Sequence, residues 1–245
     1  MEKTFTNEFG TFSIETNHNK KIASKLDTDG YSQKKSIDLL LQYVHPESVV
    51  LDIGAHIGLF TVPLAKKAGK VFSFEPTPES ALYLRKNVSQ NNLGDKVVLY
   101  NVALGSHEQN IHMGGPSDHA SFQVQSGGDI SMKTLDSFNF EKVDLIKIDV
   151  EGYEPDVFNG GQTLIQHHQP VIFFELNLPA LRNFNRYPLR KIKKALEGYD
   201  FFIDGKKIHS LALQAFLREP KFFLFNKGGI VFDVLAIPKA KAAHV

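Results

Sequence analysis

The sequence contains no cysteine. Disulfides, thiolate metal sites and a thiol nucleophile are excluded together, while the redox compartment is left open. Neither sign of charge dominates: 28 basic side chains stand against 27 acidic ones, a net charge of +1. No strong field draws the chain to nucleic acid or to an anionic membrane. No basic stripe with interleaved aromatics marks a nucleic-acid groove. The best apolar stretch, Val49–Ala65, is broken by Asp52 and His56, which disqualifies it as a membrane span. Met1–Gly10 is polar and holds no apolar signal core, so a cytoplasmic protein without a transmembrane segment is expected. Solenoid repeats are also missing.

What is there is ordinary globular material, 42% hydrophobic and 22% charged over 245 residues, enough for a sizeable core. Short, nearly continuous apolar runs occur at Val49–Ile53, Val71–Phe74, Val97–Val102, Leu145–Ile148 and Val171–Leu176. Such runs suit parallel strands covered on both faces. Helix-like segments alternate with them. Thr77 suits a cap, Pro78 a first turn, and Ala81, Leu84 and Val88 form one stripe. Further helices are predicted around Ile37–Val44, over Leu59–Ala68 and over Leu189–Leu196. The alternation predicts an α/β fold, a doubly wound and mostly parallel sheet with right-handed crossovers. Tyr199–Ile203 and Ile230–Ile237 read as a final antiparallel edge pair. Gly105–Lys133, polar and rich in Gly, Ser and His, reads as a long loop or hairpin of the kind that forms lids. The organisation expected is one domain over 1–245. Residues 1–48 form a flank and helix, 49–177 a cofactor-binding core, and 178–245 an acceptor loop, helix and edge strands.

After the first strand comes Asp52-Ile53-Gly54-Ala55-His56-Ile57-Gly58, opening into a helix. Glycines there let the backbone turn sharply and approach a ligand. Glu75 ends the second strand, about 20 residues on, where an acid binds ribose hydroxyls in nucleotide-binding folds. A dinucleotide loop reads G-x-G-x-x-G and offers amides to a pyrophosphate. Here Asp52 replaces the first glycine, and its carboxylate would repel a diphosphate. S-adenosylmethionine has no phosphate; its ammonium and sulfonium groups are favoured by an acid. The charge selects the methyl donor.

The segments "LDIGAHIGLFT", "FSFEPTPES" with Leu84 and Asn87 following, "ALGS", "TLDSF" and "DLIKIDVEGYEPDVFNGG" resemble the FkbM-type methyltransferase family. The resemblance runs from about Val49 to Asn177. It implies a class I methyltransferase fold, a seven-stranded sheet ending in a reversed strand, with S-adenosylmethionine over the strand carboxyl ends. It also implies O-methylation of sugar or polyketide hydroxyls. By position, Asp52, Gly54, Ala55 and Gly58 would surround the methionine moiety, Glu75 and Pro76 the ribose, and Asn101, Val102 and Ala103 the adenine. Asp149 would complete the donor site. The flanking portions, where the acceptor would bind, match less distinctively.

Methyl transfer from a sulfonium is an in-line displacement with an activated donor. Alignment of the acceptor oxygen contributes roughly 7–11 kcal/mol in favourable cases. A sugar hydroxyl is a poor nucleophile, so a base or a metal should assist. The candidates converge on Lys147, Asp149 and Glu151, which share one side if the extended form continues. A like-charged neighbour, Glu151, would raise the basicity of Asp149. Glu175 and Asn177 on the next strand add oxygen donors, and Asp149, Glu175 and Asn177 together would suit a hard cation such as Mg²⁺. His119, in the polar loop, is a further candidate base. His56 reads as a packing or capping residue, and His167-His168 as surface. Arg182, Asn183, Asn185, Arg186 and Tyr187 suit a hydroxyl-rich acceptor. Arg190, Lys191, Lys193 and Lys194 read as a solvated helix face.

The reading is an S-adenosylmethionine-dependent O-methyltransferase for a sugar, glycan or related hydroxyl. Cytosine-C5 enzymes are set aside by the missing thiol, and base-amino enzymes by Asp149-Val150-Glu151-Gly152 where they carry an Asp/Asn-Pro-Pro-aromatic motif. Two alternatives from other classes are an NAD-dependent sugar oxidoreductase or epimerase and a non-catalytic binding module on the same fold. Asp52 and the absence of a Tyr-x-x-x-Lys pair oppose the first.

Overall fold

The computed structural model describes residues 1–16, 33–114, 123–184, 188–212 and 231–242. The chain divides into two compact units, Met1–Ala103 and Leu104–Val245.

In the first unit, β1 (Glu2–Asn7) and β2 (Gly10–Glu15) form an antiparallel hairpin. The sequence pattern left this hairpin unread, although Phe12 and Ile14 alternate and are both fully buried. Helix α1 (Lys34–Leu41) buries Ile37 and Leu40. Then β3 (Val49–Ile53), α2 (Thr61–Lys67), β4 (Lys70–Phe74), α3 (Pro78–Gln90) and β5 (Val97–Tyr100) follow in the expected alternation. β4 pairs in parallel with both β3 and β5. Helix α3 buries the anticipated stripe Ala81, Leu84 and Val88, together with Asn87. Thr77 makes no side-chain cap.

The described part of Gly105–Lys133 takes the hairpin form, one of the two expected, within a small sheet. β6 (Ala103–Leu104), β7 (Gln109–Gly114), β8 (Gln123–Ser126) and β9 (Ile130–Lys133) make a separate sheet in the order β6-β9-β7-β8. β7 runs antiparallel to β8 and β9, with Ile111 and Met132 buried. The polar composition hid these strands because only one face carries apolar residues.

The second unit continues with β10 (Leu145–Ile148), α4 (Glu154–Asn159), α5 (Gln162–His168), β11 (Val171–Asn177), α6 (Leu178–Phe184) and α7 (Pro188–Ala195). The closing elements are β12 (Tyr199–Ile203), β13 (Lys206–Ile208), β14 (Val231–Pro238) and α8 (Lys239–Ala242). β10 and β11 are parallel, while β14 is antiparallel to both β11 and β12. The tail is therefore an antiparallel pair, as anticipated, with β14 between β11 and β12. Within this unit and among the described residues the strands lie in the order β13-β12-β14-β11-β10, with β13 an antiparallel partner to Phe201–Ile203. Helix α7 exposes Arg190, Lys191, Lys193 and Lys194 and buries Ile192, as a solvated face should. Among the described residues no helix is long and apolar enough to cross a membrane.

Candidate functional site

In the first unit, β3 runs directly into the glycine turn. The Gly54 and Ala55 amides both donate to the Phe74 carbonyl at 3.0 Å. Gly54 has φ +74° and Gly58 φ +92°, a region that side chains disfavour. At Gly58 space is also missing: a Cβ would lie 2.7 Å from Leu84 Cδ1. Gly58 thus lets the turn pack on α3, and its carbonyl accepts the Val62 amide that opens α2 at 3.0 Å.

Glu75 joins two loops of this region. It is buried, its Oε2 accepts the His56 amide at 2.8 Å, and its Oε1 accepts the Thr77 amide at 2.9 Å. One carboxylate therefore ties the turn after β3 to the loop after β4. His56 contributes its amide here, at φ +49°. Asn101 Nδ2 donates to the carbonyls of Glu75 at 2.7 Å and Pro76 at 3.1 Å. Its amide hydrogens thus fasten the same loop. Val102 is half-buried and Ala103 buried.

Asp52 occupies a more interior position than a simple ligand contact implies. It is fully buried, and its Oδ2 accepts the Thr61 hydroxyl at 2.6 Å. Thr61 Oγ1 also lies 3.0 Å from Ser73 Oγ. A hydroxyl has one hydrogen, so Thr61 donates to Asp52 and Ser73 donates to Thr61. This buried relay joins β3, α2 and β4. Thr61→Val keeps the volume and removes the donor, at a cost of about 1–3 kcal/mol. We expect a melting temperature lower by on the order of 5 °C; an unchanged value would show that the relay does not stabilise the turn.

Asn87 is a second residue whose role the sequence did not disclose. Fully buried, it donates through Nδ2 to the carbonyls of Ile57 at 2.7 Å and Ser13 at 3.1 Å. Its Oδ1 accepts the Ser13 amide at 2.7 Å and Gln90 Nε2 at 2.8 Å. It clamps the glycine turn to α3 and β2. The two acids at this turn fit a ligand bearing an ammonium, a sulfonium and ribose hydroxyls, and oppose a diphosphate. S-adenosylmethionine has that chemistry.

In the second unit, β10 ends at Ile148 and the extended form does not continue. The Val150 carbonyl accepts the Tyr153 amide at 3.2 Å, with φ +53° at Glu151 and +99° at Gly152. Positive φ at both central residues is the signature of a type I′ turn. This turn, not strand alternation, places Glu151 with Asp149 and Glu175: one carboxylate oxygen of each lies within 4.8 Å of the others. Lys147 is buried, with Nζ 4.0 Å from Asp149 Oδ2. Like charges so close oppose joint ionisation. Burial first, then Asp149, Glu151, Glu154 and Asp233, push the Glu175 carboxyl up to about 9. Asp233 enters this set because its strand register pairs it with Glu175.

Glu154 belongs to this site and was missed. It is fully buried, and its Oε1 accepts the amides of Val150 at 3.1 Å and Gly152 at 3.2 Å. Burial pushes its carboxyl up to about 7, against the lowering effect of its hydrogen bonds. The available signal was an acid directly before Pro155, at a helix start followed by apolar Val157 and Phe158. Asn177 makes a contact with the backbone. Its Oδ1 accepts the Ala180 amide at 3.2 Å and so serves the start of α6; Glu151 is the third oxygen beside Asp149 and Glu175. His119, and the side chains of Arg182, Asn183, Asn185, Arg186 and Tyr187, lie outside the described residues.

The fold is that of the class I methyltransferases. The solved structure of SMU.1697c from Streptococcus mutans, in complex with SAH, has this fold. It superposes with a TM-score of 0.50 at 12% identity, over 83% of this chain and 97% of that one. The chain belongs to the methyltransferase FkbM domain family, whose model matches residues 52–203, more than half of its length. It is 29% identical to the hexuronic acid methyltransferase AglP of Haloferax volcanii, over 56% of this chain and 59% of that protein. It is 30% identical to the 2-O-methyltransferase NoeI of Sinorhizobium fredii, over 63% of this chain and 73% of that protein. The match thus spans about three fifths of AglP. Family membership removes the nicotinamide-dependent alternative.

Proposed function

We infer that this protein transfers the methyl group of S-adenosylmethionine to a hydroxyl of a sugar or glycan. The observation that carries this reading is the meeting of Asp149, Glu151 and Glu175, with carboxylate oxygens within 4.8 Å. When bound, the donor supplies an electrophilic methyl on a sulfonium. In the first unit, Glu75 receives the ribose hydroxyls, and the turn over the Asp52–Thr61 relay receives the methionine end. In the second unit the acids serve the acceptor. Glu175, with its carboxyl pushed up to about 9, holds a proton at neutral pH and donates it as a hydrogen bond. Asp149, beside the Lys147 ammonium, takes the hydroxyl proton as the methyl group transfers, and Glu151 orients the acceptor. A positioned base of this kind contributes about 10²–10⁴-fold to the rate. The likeness to the hexuronic acid methyltransferase AglP supports a sugar acceptor, and that to the 2-O-methyltransferase NoeI supports transfer to oxygen.

The test compares the glycans and metabolites of cells carrying the active gene with those of cells lacking it. The reading expects a sugar-containing species heavier by one methyl group only when the gene is active. An unaltered glycan pool, with the methyl difference on a non-sugar compound, would redirect the assignment.

The same trio favours a second reading, in which it holds a divalent cation. Three carboxylate oxygens suit hard Mg²⁺, which would supply Lewis-acid polarisation of the hydroxyl. Dialysis against EDTA separates the two. The cation reading expects turnover to fall at least tenfold and return with Mg²⁺; turnover that survives chelation leaves the proton-transfer reading alone.

A further inference from the structure

The turn Val150–Tyr153 is built against local preference. A type I′ turn takes Gly, Asn or Asp at its central positions, yet Glu151 occupies the first of them at φ +53°. A long side chain in that conformation persists only where its surroundings hold it. Two contacts do so. Gly152, at φ +99°, passes so close to α6 that a Cβ would meet the Ala180 carbonyl carbon at 2.5 Å and its oxygen at 2.7 Å. From the other side, Glu154 Oε1 accepts both the Val150 and the Gly152 amides, the two that flank Glu151. The Glu154 side chain is closed off from solvent, and its Oε2 makes no hydrogen bond among the described residues. Water does not compete for these bonds, and this group reaches neither acceptor nor solvent.

We propose that Glu154 is a positioning residue whose buried acceptor oxygen fixes the Glu151–Gly152 turn and thereby holds the Asp149 and Glu151 carboxylates at Glu175. The inference rests on the methyl-transfer reading for its catalytic consequence, but its structural part stands alone. An acceptor oxygen is what the turn requires, so Glu154→Gln should preserve it. Glu154→Met fills similar volume, removes the acceptor and frees both amides. Displacing reactive groups by about 1 Å costs on the order of 10²-fold in turnover.

Two measurements test this. The first is amide hydrogen exchange at Val150 and Gly152, which needs no acceptor substrate. Both amides should be protected in the parent and in Glu154→Gln, and exchange at least tenfold faster in Glu154→Met. The second is steady-state kinetics. Glu154→Gln should keep kcat within about threefold of the parent, whereas Glu154→Met should lose on the order of 10²-fold in kcat with little change in KM for the donor. Rapid exchange of the two amides in the parent overturns the proposal, whether or not the Met variant folds. So does a Gln variant as impaired as the Met one, because charge rather than acceptor geometry would then govern. Protected amides in a protein that methylates no hydroxyl would instead sink the methyl-transfer reading and leave the turn assignment standing.

Discussion

Asp149→Asn should bind S-adenosylhomocysteine almost as tightly as the parent protein and turn over about 10²–10⁴-fold more slowly. Asn matches Asp in shape but accepts a proton poorly, so acceptor alignment is retained while proton removal is lost. Glu75, Gly54 and Asn101, proposed above for the donor, belong to the other compact unit, and the substitution leaves the Asn101 hydrogen bond to the Glu75 carbonyl in place. A second signature follows from electrostatics. Asp149 is the largest charge contribution holding the Glu175 carboxyl up at about 9. Neutralising it should move Glu175 down toward the ordinary carboxyl range, a shift readable by carbon-detected NMR of labelled glutamate. Full turnover in Asp149→Asn would remove this residue from catalysis.

Glu75→Ala is the second large effect and falls on the opposite parameter. Hydrogen bonds to a charged group contribute about 1.5–3 kcal/mol each, so loss of the ribose contact alone weakens binding about 10- to 150-fold. The amides of His56 and Thr77 also lose their acceptor, which loosens the turn that receives the methionine end. S-adenosylhomocysteine affinity, measured by calorimetry, should therefore fall on the order of 10²-fold or more. Turnover at saturating donor should recover much of the parent value. Unchanged affinity in a folded variant would mean that the ribose is held elsewhere.

The parallel strands and their helices were legible because buried strands read as short Val, Ile, Leu and Phe runs, and α3 shows its stripe plainly. β1, β2 and β7–β9 were harder to read, since their apolar residues alternate with polar ones over only a few positions. Asp52, Glu75, Asp149 and Glu175 were marked by their places at strand ends. The Asp52–Thr61–Ser73 relay joins three elements and leaves no local spacing to detect. Glu151 reaches the cluster by another geometry than strand alternation, which ends at Ile148: a left-handed turn brings it there. Glu154 does not stand out in the sequence, because an acid in a first helical turn ordinarily serves the helix dipole, whereas here its oxygen faces back to the preceding turn.

The most direct measurement incubates purified protein with ¹³C-methyl S-adenosylmethionine and a panel of methyl glycosides of hexoses and hexuronic acids, followed by NMR of the products. The predicted result is a labelled methyl ether on a ring hydroxyl, stable to mild alkali and absent with Asp149→Asn. Label found only as an alkali-labile carboxyl ester, or on nitrogen or carbon, would contradict hydroxyl methylation by the acidic trio.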